Sequence, residues 1–140
     1  IGNKSKKEKD ALESYGKNLG LAFQIADDAL DYFSTKTIFG KEIGKDFYEG
    51  KTTLPLIIIF KRANNEERDF LIKIFKKKKR NEEDFSETLA LINKYKAVQA
   101  SFKRAEYFVN VAYDTLGIFA DSKEKKILQN LTEFSLNRTF

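Results

Sequence analysis

Apolar residues recur along this chain at three- and four-residue steps almost throughout, a period that predicts a succession of helices. The first is expected from about Lys7 to Phe33, with Leu12, Tyr15, Leu19, Ala22, Phe23, Ala26, Leu30 and Phe33 forming one buried stripe. Gly16 and Gly20 share a side of it and offer room for a close neighbour. Ser34 to Thr52 shows no sustained period, holds Gly40, Gly44 and Gly50, and reads as a loop. A second helix follows, with Thr52 or Thr53 as its N-cap and Pro55 in its first turn, where the missing N–H costs little. Leu54, Leu56, Ile57, Ile58, Ile59 and Phe60 are apolar on nearly every side, which predicts a central helix. β-branching there also permits a strand, but no partner strands are evident elsewhere.

Three further helices and a last one complete the pattern. Glu66 to about Lys77 turns Phe70, Leu71, Ile74 and Phe75 inward, and about Glu82 to Lys94 does so with Phe85, Leu89 and Ile92. A long helix from about Ala97 to Leu116 carries Phe102, Ala105, Tyr107, Phe108, Val109, Ala112 and Tyr113, and Gly117 stands where a C-terminal stop belongs. Ser122 caps a final helix through Leu136, with Ile127, Leu128, Leu131 and Phe134 inward. The fold class expected is an all-α helical bundle over residues 1–140, without internal repeat or domain linker.

Composition narrows the chemistry. The chain has no Cys and no His, so disulfides, thiolate metal sites, Cys nucleophiles and imidazole bases are excluded. It also has no Met and starts at Ile1, from which we expect a piece of a longer polypeptide and a site only partly present. No apolar run reaches a membrane span; with no leader in view, the cytoplasm is the expected compartment. The net charge of +5 peaks at Lys76 to Arg80, but Glu82, Glu83 and Asp84 follow and no aromatic residue interleaves. That run reads as a solvated connection, and no nucleic-acid partner is expected.

One stretch stands apart. Phe23-Gln24-Ile25-Ala26-Asp27-Asp28-Ala29-Leu30-Asp31 sets three carboxylates on a helix otherwise apolar. At about 100° per residue, Gln24, Asp27, Asp28 and Asp31 fall within a quarter of the circumference. Carboxylates so close repel, and a hard cation such as Mg²⁺, which takes one or two carboxylates plus phosphate oxygens and waters, resolves the conflict. An exposed acidic turn is the plainer alternative. The loop downstream then adds Lys41, Lys45 and Lys51 among glycines and runs into a helix N-terminus, an arrangement suited to anions.

Taken together, Gly20 to Leu56 resembles the trans-isoprenyl diphosphate synthase (polyprenyl synthase) family over about a quarter of the chain. Its second aspartate-rich motif is matched by Phe23 to Asp31, and the family's Gly-Lys, Gly-x-Asp and Gly-Lys-x-Thr by Gly40-Lys41, Gly44-Lys45-Asp46 and Gly50-Lys51-Thr52-Thr53. The resemblance implies the C-terminal part of an isoprenoid synthase fold. It implies Mg²⁺ on Asp27, Asp28 and Asp31, Lys41 and Lys51 on the departing diphosphate, and Gln24 and Thr52 beside the substrate. The implied reaction joins isopentenyl diphosphate to an allylic diphosphate head to tail, in a homodimeric parent protein.

Glu49 to Pro55 looks more like the long-chain branch, such as octaprenyl synthases serving quinone side chains, than the farnesyl or geranylgeranyl branches. The family's first aspartate-rich motif and its residues for isopentenyl diphosphate have no counterpart here. The 140 residues alone are therefore expected to be inactive. A short-chain synthase, a class I terpene cyclase, a non-catalytic partner subunit and a helical interaction module are the alternatives.

Overall fold

The computed structural model describes residues 4–33 and 43–139, and among them every regular element is helical. The order is α1 (Lys6–Leu30), α2 (Lys45–Tyr48), α3 (Leu54–Arg62), α4 (Asn65–Lys76), α5 (Glu82–Lys94), α6 (Ala97–Thr115) and α7 (Lys123–Thr139), with a 3-10 turn at Leu116–Ile118. The chain divides into two compact units, Ile1–Ala26 with Phe102–Phe140, and Asp27–Ser101.

In the first unit the stripe expected on α1 is largely present: Tyr15, Leu19, Ala22 and Ala26 are buried. Leu12 is not, and neither is Phe33 beyond the helix, which lies 56% exposed. Gly16 and Gly20 face open space rather than a close neighbour. On α6, Phe102, Ala105, Val109 and Ala112 are buried, whereas Tyr107 and Tyr113 are exposed. The larger departure is α7, capped as expected by Ser122 Oγ accepting the Lys125 N–H at 3.0 Å. Its buried side chains are Thr132 and Ser135, while Ile127, Leu131 and Phe134 face outward. Burial of the hydroxyls costs little because each bonds back into the helix, Thr132 to Gln129 O at 2.6 Å and Ser135 to Leu131 O at 2.7 Å. Tyr15 contributes the tie to this helix, its hydroxyl donating to Leu128 O at 2.8 Å.

The second unit is organised by aromatic packing. Phe47, on the four-residue α2, is fully buried. Its ring lies 5.3 Å from Phe85, 5.6 Å from Phe75 and 5.4 Å from Tyr48, centroid to centroid. Edge and tilted arrangements at these distances are favourable. One turn of helix thus stands inside the stretch expected to be loop. α3 starts after Thr53 with Pro55 in its first turn. It is less central than its composition suggests: Leu56 and Ile59 are buried, but Ile57 and Phe60 are exposed. Leu56, Ile57 and Phe60 line an apolar groove of about 270 Å³ together with Leu71, Ile72 and Phe75, and Thr52 and Lys61 complete its lining.

Capping boxes set the register of α4 and α5, Asn64 with Glu67 and Asn81 with Asp84. Glu67 does more than cap. It takes an ion pair from Lys94 and hydrogen bonds from Tyr95 Oη at 2.5 Å and Asn64 N at 3.0 Å. Arg62 donates to Tyr95 O at 2.7 Å, so α3, α4 and the end of α5 share one polar knot. The Lys94 and Tyr95 bonds hold the Glu67 carboxyl down to about 2.

Two outcomes follow from this packing. Ile59→Ala, at a site with no exposure, should cost about 2–5 kcal/mol in urea denaturation. The folded Glu67 has the lower pKa, so the unfolded chain binds more protons in acid, and stability rises with pH through this window. Thermal melts should therefore show stability lost as pH falls from about 4.5 toward about 2, and Glu67→Gln should flatten that fall.

Candidate functional site

α1 ends one residue short of Asp31. Tyr32 and Phe33 close the helix with bonds to Ala29 O and Leu30 O, so Asp31 is the first residue of the closing turn. Asp27 is exposed, Asp28 keeps 13% of its side-chain exposure, and Asp31 is buried. Gln24 lies exposed on the part of α1 that belongs to the first unit. Lys41 falls outside the described residues.

Asp31 is engaged with the turn that follows. Its Oδ2 accepts the Asp46 N–H at 3.0 Å, and its backbone O accepts the Gly44 N–H at 3.1 Å. Both bonds hold the start of α2, where orphan N–H groups and the positive end of the helix favour a carboxylate. Gly44 has φ +80°, and a Cβ there would meet the Phe85 ring at 2.7 Å. The far end of the turn repeats the logic: Gly50 has φ +73°, its N–H donates to Phe47 O at 3.0 Å, and the Lys51 N–H donates to Asp46 O at 2.9 Å.

From this turn Lys51 reaches two carboxylates at once. Its Nζ lies 3.6 Å from Asp28 Oδ1 and 3.8 Å from Asp46 Oδ1. The Asp28 charge, then that of Asp46, raises the lysine pKa, so it stays cationic. Lys45 instead pairs with Glu49, the residue that ends its helix, 4.0 Å away. Thr52 is exposed in the lining of the apolar groove. Asp46 is the residue whose weight sequence reasoning missed; the signal was its place after Gly44-Lys45 in the basic loop.

Asp46 Oδ2, the Tyr32 hydroxyl and Thr53 Oγ1 are buried without a completed hydrogen bond. Thr53 lies near enough to Tyr32 to act on its ionisation, yet neither hydroxyl completes a bond. Burial, then the Asp31 charge, pushes the Tyr32 phenol well above its usual range, so it is a neutral donor.

Among the described residues no three carboxylates are gathered closely enough to hold a metal ion unaided. The donor set still fits a hard divalent cation: it is all oxygen, and Asp46 keeps a buried oxygen without a hydrogen-bond partner. Mg²⁺ takes such sites through one or two carboxylates and completes its shell with water and phosphate oxygens. Asp28 and Asp46 would contribute oxygens to such a cation, and the Lys51 ammonium beside them is placed to meet an anion.

Comparison with known proteins gives this geometry its context. The family model described as polyprenyl synthetase matches residues 1–92. Octaprenyl diphosphate synthase of Haemophilus influenzae is 34% identical over 95% of this chain and 40% of its own length. The short chain isoprenyl diphosphate synthase of Methanothermobacter thermautotrophicus is also 34% identical, over 99% of this chain and 42% of its own. The crystal structure of polyprenyl synthase from Caulobacter crescentus, complexed with calcium and isoprenyl diphosphate, superposes with a TM-score of 0.84. The identity is 35%, with 98% of this chain and 42% of that one covered. This chain thus spans about two fifths of the length of the relatives it matches.

Two substitutions report on the turn. Asp31→Ala strips the Asp46 N–H of its buried acceptor and should cost about 1–3 kcal/mol by chemical denaturation. Gly50→Ala forces a side chain into a left-handed conformation and should cost at least about 1 kcal/mol in the same measurement.

Proposed function

The chain belongs to the polyprenyl synthetase family, and we propose that the protein carrying it is a trans-prenyltransferase whose diphosphate-handling residues lie in this segment. The observation that carries the reading is Lys51 held against Asp28 and Asp46 by a turn tied at both ends. Asp27, Asp28 and Asp31, with Asp46 bonded to Asp31, would hold Mg²⁺, which would supply positive charge to the diphosphate of the allylic substrate. Asp31 also holds the Asp46 turn. The ammonium of Lys51 moves from the carboxylates onto phosphate oxygens, and Lys41 is the second lysine of the proposal. Gln24 and Thr52 line the substrate.

As the carbon–oxygen bond of the allylic diphosphate breaks, negative charge grows on the leaving oxygens, and preplaced cations lower that barrier. The alkene of isopentenyl diphosphate attacks the allylic carbon, and the proton lost from the new carbon–carbon unit passes to the released diphosphate. No imidazole or thiol enters, in keeping with a chain without His or Cys. The product we favour is a long-chain polyprenyl diphosphate for quinone side chains, supported by the Glu49–Pro55 stretch and the octaprenyl relative. A short-chain product is the second reading, favoured by equal identity to the archaeal short-chain synthase. We place the protein in the cytoplasm; no helix among the described residues is long and apolar enough to cross a membrane. We also propose a homodimer, supported by the outward Ile127, Leu131 and Phe134 of α7, an apolar stripe suited to a partner.

In the protein carrying this chain, Asp27→Ala and Lys51→Met should each lower kcat/KM by about 10²–10³-fold with the circular dichroism spectrum intact. Unchanged turnover in both would refute the assignment. Radiolabelled product chromatography decides chain length. The 140 residues alone should give no condensation product, and a robust rate from them would show that the site is complete here.

A further inference from the structure

Arg80 ends the basic run expected to be a solvated connection, yet it is half-buried and committed to the turn that presents Lys51. Its Nε donates to Phe47 O at 2.9 Å, the same carbonyl that accepts the Gly50 N–H. Its Nη1 donates to Lys77 O at 2.9 Å and Ile74 O at 3.4 Å, at the C-terminal end of α4. The guanidinium also lies over the Phe75 ring, 5.3 Å from its centroid, and Phe75 packs on Phe47. A Cβ on Gly50 would stand 2.3 Å from Arg80 Nη2, so the missing side chain is what admits the guanidinium to the turn. Lys77 to Lys79 are exposed, and none of them is bonded to the turn.

We propose that Arg80 is a positioning residue for Lys51: by clamping Phe47 O to the end of α4, it fixes the Gly50 turn from which Lys51 reaches Asp28 and Asp46. A guanidinium suits the task because its planar fork serves several carbonyls at fixed angles while stacking on a ring, which an ammonium cannot do. Asp31 holds the amide end of α2 and Arg80 the carbonyl end, so the two charges match the two ends of the helix. This inference rests on the diphosphate reading of Lys51.

The test compares Arg80→Gln, Arg80→Lys, Lys51→Met and the Lys51→Met/Arg80→Gln double variant in the protein carrying this chain. Inorganic diphosphate with Mg²⁺ is titrated by calorimetry, and hydrogen exchange is read amide by amide. Arg80→Gln should weaken diphosphate binding about tenfold, as expected for one lost charge-assisted bond, and speed exchange at Gly50 and Lys51 but not within α6. Arg80→Lys, which keeps charge and folding, should lose nearly as much. In the double variant the loss should equal that of Lys51→Met alone. Independent, multiplying losses would overturn the inference, as would full recovery of binding in Arg80→Lys. If Lys51→Met binds diphosphate like the wild type, the reading of the site falls and this inference with it. If Lys51→Met weakens binding and Arg80→Gln does not, only the inference falls.

Discussion

A helix of four residues cannot sustain itself, and all that bears on chemistry in the second unit depends on what holds Lys45–Tyr48 in place. Three different forces do so. A buried carboxylate, Asp31, satisfies the amide end, and a guanidinium, Arg80, satisfies the carbonyl end. Between them Phe47 is locked among Phe75, Phe85 and Tyr48. Two glycines with positive φ let the chain enter and leave this turn without meeting Phe85 or Arg80. Lys51 inherits its position from that scaffold, and only then do Asp28 and Asp46 become its partners.

This arrangement makes functional sense as a preassembled counter-charge. Three aspartates crowded by the chain would repel one another, but the fold separates their duties. Asp31 is committed to backbone, Asp28 and Asp46 share a lysine, and Asp27 faces solvent. A site whose charges are already fixed in place needs little reorganisation when an anion binds. Asp46 Oδ2 is buried without a completed hydrogen bond.

Much of the helical plan was legible because three- and four-residue periods are strong signals, and the start of α3 and both bounds of α5 fall where the pattern puts them. The errors share a cause. Periodicity names a stripe without saying which neighbour covers it, so Ile127, Leu131 and Phe134 were read as core although Thr132 and Ser135 hold that place. Hydroxyls that bond their own helix are cheap to bury, and no count of apolar residues reveals that. In the site, Asp27, Asp28 and Lys51 were visible from residue type and spacing. The bond from the Asp46 N–H to Asp31 was not, because α1 ends at Leu30, three residues earlier than the pattern implies, and the partner amide lies fifteen positions away.

The sequence by itself determined the inventory: an all-helical chain, carboxylates and lysines as the only chemistry available without Cys or His, and a motif set that points to a diphosphate. Residue types and local spacing suffice for that, since helical period and ionic character are properties of short segments. Only the tertiary structure decided that Lys51 sits between Asp28 and Asp46, and that Arg80 leaves a basic surface run to brace the turn. Those outcomes join residues 5 to 33 positions apart, and their geometry is set by Phe47 packing and by buried backbone groups that must find partners.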